Sequence, residues 1–511
     1  MSARHQPADQ DKSCTASQPQ NSTGSGESLT ILANRLPVTS TGDGKWEVSP
    51  GGLVSALAPV VKAGGGNWIG WSGAIANEGG PLEVNGLSLI DISIDEEEYE
   101  NYYCGMANEI LWPLFHDGVR HPHYSEPAWQ GYKRVNRRFA NAAADIAPKN
   151  GLVWIHDYHL LLVPGLLREL RPDIRIGLFL HIPVPPVELF ATLPWRDELV
   201  SSLAAADLVG TQTEADALNL RKLLVHPDFA EAEVTDDGDQ QLPSLVAVEA
   251  FPISIDTQRY LSAARESEAD GSAQKLREQF GTHRTLFLGV DRLDYTKGID
   301  RRLEAFELAL KSGKIEPNDV RFVQIAVPSR LSVQQYQEIS DRVDSLVGSI
   351  NGQFSGIGDA IVHYSKQGLS FEELIPLYRA ADVMVVTPFR DGMNLVAKEF
   401  VATRFDATGQ IILSEFSGAS KELTDAMIVN PHDVHSLSEA IVESHRRSRE
   451  RKPSRQMATL HRQVCEHDVH RWSERFTSRL RGESLKATAQ IEPTGKPDRV
   501  LESGNASGRE L

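Results

Sequence analysis
Residues 382–400 read DVMVVTPFRDGMNLVAKEF. An apolar run over 382–388 leads into Arg390, Asp391 and Gly392, and a helical pattern follows. The run is rich in Val and does not alternate with polar residues, so it reads as a strand covered on both faces, as in a parallel sheet. Charges after such a strand, then a glycine, then a helix, make one βα unit.

The same pattern recurs outward in both directions. Apolar runs occupy 29–33, 151–157, 174–183, 207–212, 245–253, 285–294, 321–328, 360–364, 410–416 and 426–431. Helical stretches such as LLLVPGLLRELR and GIDRRLEAFELALK lie between them. Repeated βα organisation implies an α/β fold of doubly wound parallel sheets. There are too many strands for one sheet of ordinary size. The charged, helical segment 255–284 lies near the midpoint and places a domain boundary at about 254. The expected division is 29–254, 255–455, and a helical segment 456–483 packing back on the first domain. The polar stretches 1–28 and 484–511 read as disordered.

Composition narrows the class. Across 511 residues, 52 Lys and Arg oppose 70 Asp and Glu, giving a net charge of −18. That excludes a general footprint for nucleic acid or anionic membrane. An acidic chain that binds an anion must place its cations locally. Cys14, Cys104 and Cys465 are far apart and lack metal-ligand spacing, which suits a reducing cytoplasm. No apolar run approaches the roughly 20 residues needed to span a bilayer.

In open parallel sheets, ligands sit beyond the carboxyl ends of the strands. Those positions carry Arg35; His156, Asp157 and His159; His181; Asp291, Arg292, Asp294 and Lys297; Arg330; and Arg390, Asp391 and Asn394. One such strand end is an ordinary solvated loop, but six from both halves point to a cleft between two sheets. Arg292, Lys297 and Arg330, with amides at helix starts after Gly298 and Gly392, suit a diphosphate. Neither glycine turn has Rossmann-dehydrogenase or P-loop spacing. The HDYH stretch lacks a matching third ligand for a metal, and no G-x-S-x-G elbow is present. His116 and His123 read as structural or surface groups.

Taken together, NRLP, SPGGL, GNWIGWSG, LWPLFH, WIHDYHLLLVP, FLHIPVPP, GVDRLDYTKGI, PSR, INGQF, TPFRDGMNLVAKEF and SEFSGA resemble the trehalose-6-phosphate synthases, in family order from about 29 to 482. The resemblance implies the glycosyltransferase B fold, two Rossmann-like domains facing across a cleft. It implies that the C-terminal domain holds a sugar nucleotide. Arg292 and Lys297 would then grip the diphosphate, with Arg330 a further contact. Asp391, beside Gly392, would bind glucose hydroxyls. Leu395, Val396, Ala397 and Lys398 would form the helix start near the diphosphate, and Glu399 would meet the ribose. On the N-terminal side, Arg35, Tyr103, Trp112 and Asp157 would hold glucose 6-phosphate. His181 would sit beside the transferred sugar, and Gly51 and Gly52 would close on the donor. Thr211 stands where most members carry an aromatic residue, and reads as a packing change.

The resemblance further implies transfer of glucose with retention from a nucleotide-glucose, UDP-glucose first, to glucose 6-phosphate. No cofactor or metal would be required. The nucleobase stays open among uridine, guanosine and adenosine. The implied setting is a cytoplasmic homo-oligomer, with a separate trehalose-6-phosphate phosphatase downstream. A glucosylglycerol-phosphate synthase and a non-catalytic sugar-phosphate-binding regulator are the competing readings.

Overall fold
The computed structural model describes residues 29–483 apart from 41–45, 49–53, 55–56, 59–60, 63–64, 119–121, 227–228, 230–232, 235–239, 242–245, 330–333 and 451. Gly51, Gly52 and Arg330, and both polar tails, lie outside the described residues.

The first sheet gathers β1 (Leu29–Arg35), β4 (Asn67–Trp71), β5 (Gly80–Val84), β6 (Leu87–Asp91), β7 (Leu152–His156), β8 (Arg175–Phe179), β9 (Leu208–Thr211) and β12 (Ala247–Ala250). Its order is β12-β9-β8-β7-β1-β4-β6-β5, and only the edge pair β5–β6 is antiparallel. Two short hairpins stand apart: β2 (Val38–Ser40) with β3 (Trp46–Val48), and β10 (Glu233–Val234) with β11 (Gln240–Gln241). The second sheet is wholly parallel. It contains β13 (Thr285–Leu293), β14 (Val320–Pro328), β15 (Val362–Ser365), β16 (Val383–Val386), β17 (Gln410–Ser414) and β18 (Met427–Val429), ordered β15-β14-β13-β16-β17-β18.

Each sheet winds outward from its first strand in both directions. In the second sheet the order reverses between β13 and β16; in the first it reverses between β1 and β7. At a reversal the crossover connections leave on opposite faces, so a crevice opens at the carboxyl ends. Both crevices are therefore fixed by strand order before any side chain is considered.

All eleven apolar runs contain a strand. The sequence reading missed β4, β5 and β6. NWIGW spans only five residues and contains a glycine, and LSLID alternates in burial as an edge-side strand does. These three strands widen the first sheet on one side only.

The last helix among the described residues, Val469–Arg481, crosses back onto the first sheet. Phe476 stacks on Trp154 with centroids 4.4 Å apart. A Cβ at Gly177 or Gly210 would come within 2.8 Å or 2.7 Å of its ring, so two glycines on adjacent strands form a trough for it. Trp472 Nε1 donates to Phe251 O at 3.1 Å, and Arg175 Nη1 to Leu480 O at 3.2 Å. Phe476→Ala should cost ~3–5 kcal/mol, the range for emptying a buried aromatic site. Denaturant unfolding followed by tryptophan fluorescence measures it; a midpoint equal to wild type would contradict the packing.

Candidate active site
The second-sheet half of the site is built around one buried guanidinium. Arg302, on the helix Ile299–Lys311, has no solvent exposure. Its Nη1 donates to Asp291 Oδ2 at 2.7 Å and to Gln324 Oε1 at 3.0 Å, and its Nε to Thr387 Oγ1 at 3.1 Å. It thus ties together β13, β14 and the end of β16. Gly289 makes room, since a Cβ there would sit 2.3 Å from Arg302 Nη1.

Beyond β13, Asp294 accepts from the Thr296 N–H and hydroxyl, both at 2.9 Å, and from Tyr336 Oη at 3.2 Å. This holds the turn that ends in Lys297. Gly298 follows at φ +62, with no space for a Cβ beside Thr387 O. Lys297 Nζ then reaches Asp391 Oδ2 at 2.6 Å. Burial works against the Asp391 charge, but Lys297 outweighs it and holds the carboxyl below its usual range. Asn394, at φ +71, donates to Asp391 Oδ2 at 3.1 Å. Its Oδ1 caps the Ala397 N–H of the helix Leu395–Ala402. That helix start points its amide end at the same crevice.

The first-sheet half presents the ends of β1, β7 and β8. Arg35 lies over Trp71, 4.0 Å from the ring centroid, and 6.0 Å from that of Tyr103. Tyr103 stacks on His159. Asp157 takes φ +74 just after β7, and its Oδ1 accepts from the His181 N–H at 3.2 Å. His156 Nδ1 and His181 Nε2 are 3.1 Å apart. Burial drives both imidazoles towards the neutral form, His156 well below its usual value and His181 down to about 3.

The two halves meet directly. A Cβ on Gly392 would lie 2.0 Å from the His181 carbonyl oxygen, so only glycine fits this contact. Arg292 stands over Trp112 at 5.3 Å. Arg390 pairs with Asp117 at 3.4 Å and Asp216 at 3.6 Å. It is a latch between the halves.

Arg35, Tyr103 and Asp157 thus lie on one wall with His181, and Trp112 lies beside Arg292. Arg292, Lys297, Asp391 and the Leu395–Val396–Ala397 helix start form the other wall. Glu399 accepts from Tyr378 Oη at 2.8 Å. The Lys398 side chain is buried. Its Nζ is held by Ile253 O at 2.7 Å and Glu422 at 2.5 Å. Only its backbone remains for the crevice. Thr211 is buried at the end of β9 and donates to Thr213 O at 3.1 Å.

His116, read from the sequence as a structural or surface group, is structural. It is buried, its ring 4.0 Å from that of Trp112, and within electrostatic reach of Asp294, Asp391 and Lys297. Burial brings it down to about 4. Its spacing of four from Trp112 in LWPLFH was the available signal, since i and i+4 share a helix face. Those residues follow a π-helix, Tyr99–Leu111, whose wide turns could not be read from an α-helical period.

A glycosyltransferase family 20 model matches residues 27–482. The chain belongs to this family. The family 20 chain is 45% identical over 469 residues to a trehalose-6-phosphate synthase of Mycobacterium sp. (strain KMS), covering 89% of this chain and 96% of that one. It is 44% identical over 476 residues to the trehalose-6-phosphate synthase of Mycolicibacterium smegmatis, covering 91% and 93%. Among solved structures it resembles "Trehalose-6-phosphate from E. coli bound with UDP-2-fluoro glucose", with TM-score 0.79, 33% identity and coverage of 88% and 98%. It also resembles an alpha,alpha-trehalose-phosphate synthase (UDP-forming) from Burkholderia xenovorans in complex with glucose-6-phosphate, with TM-score 0.76, 32% identity and coverage of 89% and 100%. This family 20 protein is a glycosyltransferase with the glycosyltransferase B fold. No helix among the described residues is long and apolar enough to cross a membrane.

Two expectations follow. His116, His156 and His181 all have folded pKa values below the unfolded value, so the unfolded chain binds more protons as pH falls below about 6.5. Stability is present above that pH and is lost on acidification, by at most about 1.4 kcal/mol per pH unit for each group. Tm should fall from pH 7 to pH 5, and His156→Gln should flatten the slope; an unchanged slope would remove His156 from the effect. Gly392→Ala forces the His181 backbone away, and a displacement on the 1 Å scale should cost on the order of 100-fold in kcat/KM. Steady-state kinetics reads it out.

Proposed function
We propose that the protein transfers glucose from UDP-glucose to glucose 6-phosphate, forming alpha,alpha-trehalose 6-phosphate and UDP with retention at the anomeric carbon. One observation carries the reading: the cations Arg292 and Lys297 and the carboxylate Asp391 share one crevice wall, and Gly392 presses that wall onto His181 opposite. The named ligands of the E. coli and Burkholderia relatives support this choice of donor and acceptor.

The chemistry follows from charge. As the bond between the anomeric carbon and the β-phosphate oxygen breaks, negative charge collects on the diphosphate. Arg292, Lys297 and the amides of the Leu395–Ala402 helix start are preorganised to stabilise it. Lys297 can turn from Asp391 to the diphosphate while Asp391 takes up glucose hydroxyls. The acceptor hydroxyl attacks on the face from which UDP departs, and its proton passes to the leaving phosphate oxygen. Neutral His181 suits a hydrogen bond to the sugar, because a cation there would repel developing positive charge at the anomeric carbon. Arg35 would hold the acceptor phosphate, with Tyr103, Trp112 and Asp157 around the sugar. The cations already supply the charge compensation that a metal would bring, so the reading includes a metal-independent reaction. It also includes a cytoplasmic homo-oligomer, with a separate phosphatase acting on the product.

Purified protein given UDP-glucose and glucose 6-phosphate should release UDP in the presence of EDTA. Absence of release with every nucleotide-glucose would overturn the catalytic reading, and release only with glycerol 3-phosphate would reassign the acceptor. Lys297→Ala should lower kcat at least ~100-fold, the scale for removing one preorganised donor.

A further inference from the structure
A second cavity lies at the opposite edge of the second sheet. Its volume is about 370 Å³, and its walls include Asp382 and Gln410, where β16 and β17 begin. The catalytic crevice lies beyond the other ends of these strands, roughly 15–25 Å away at ~3.3 Å per residue.

Five cationic side chains line this cavity: Arg277, Arg379, Arg404, Arg447 and Lys452. Only two carboxylates, Glu268 and Asp382, face them in the lining. Carboxylates just outside the lining also pair with three of these cations: Asp406 with Arg379, Glu443 with Arg447 and Glu450 with Lys452. Arg277 and Arg404 are 6% and 2% exposed, and the Arg379 side chain 7%. Arg277 pairs with Asp382 at 2.9 Å; Arg379 pairs with Glu268 at 3.2 Å and Asp406 at 3.0 Å. Arg404 forms no ion pair among the described residues. Its two Nη atoms donate to the Arg379 and Ala381 carbonyls. The buried Nε atoms of Arg277, Arg379 and Arg404 have no acceptor. Burial, with the neighbouring Arg379 charge, brings Arg404 down to about 10. Gly409, at φ +83, lets the Arg404 guanidinium lie against the chain, since a Cβ would be 3.0 Å from its Nε.

Capping the helix Phe371–Ala380 explains some of these hydrogen bonds. It does not explain why three buried guanidiniums crowd one wall, nor why Arg404 among them has no carboxylate partner among the described residues. We infer that this cavity binds a phosphate-bearing small metabolite. Guanidinium groups match phosphate oxygens in geometry and charge, and the hydroxyls of Thr408, Ser448 and Ser454 in the wall suit the polar remainder of such a molecule. The volume falls within the range of small-ligand pockets.

The catalytic crevice would also attract phosphate, so its cations are removed first. Inorganic phosphate is titrated calorimetrically into the full chain carrying Arg35→Ala, Arg292→Ala and Lys297→Ala. Binding should persist. Adding Arg447→Glu and Lys452→Glu should weaken it at least tenfold, with Tm in phosphate-free buffer unchanged. These rim side chains are 42% and 75% exposed, so reversing them spares the buried arginines. Loss of binding in the first variant, or unchanged affinity in the second, would overturn the inference. The readout does not depend on glucosyl transfer, so it can fail or succeed apart from the proposed reaction.

Discussion
The contact between Gly392 and His181 sets the terms for everything else in the crevice. Two parallel sheets can share a ligand only if their carboxyl edges meet. Here they meet backbone to backbone, at a distance that excludes even a methyl group. The contact brings Asp391 and Asp157, each adjacent in sequence to a crevice wall, to opposite sides of one space. Arg390 reinforces it through Asp117 and Asp216. Gly418 extends the requirement, because a Cβ there would strike Gly392 O. Each glycine is needed because its neighbour is main chain, which cannot rotate aside.

Beneath that contact lies a buried polar frame. Arg302 would be costly as an isolated charge, and Asp291 makes it tolerable. The frame holds the ends of three strands in fixed relation, so Arg292, Lys297 and Asp391 start from a common base. Lys297 and Asp391 partly neutralise one another in the same way. A preorganised pair of opposite charges is already desolvated, which lowers the reorganisation that the proposed transfer would need.

Much of the fold was legible in the sequence because parallel strands leave a strong signal. Covered on both faces, they read as unbroken apolar runs, and the charges after each run mark its carboxyl end. That rule singled out Arg35, Asp157, His181, Lys297 and Asp391, and each lies at or just beyond a strand's carboxyl end. What escaped did so for physical reasons. β4 and β6 lie towards the edge of their sheet and are short, so their patterns are weak. Lys398 sits in a motif that faces the crevice, but its helical position turns the side chain towards Glu422. Arg302 looked like one more charge on an amphipathic helix, because burial of a guanidinium depends on Asp291 and Gln324, far away in the other elements.

The return of the last helix has a consequence for synthesis. Trp154 and Phe179, and the glycine trough between them, belong to strands made early, yet their cover is Phe476 and Trp472. Roughly 10–50 s of translation separate the first sheet's last strand from that cover, at ~5–20 residues per second. During that interval a nascent chain carries an exposed aromatic surface, the kind of surface that chaperones hold. Closing it waits for the helix Val469–Arg481, so ribosome-bound chains stopped before Val469 should remain sticky.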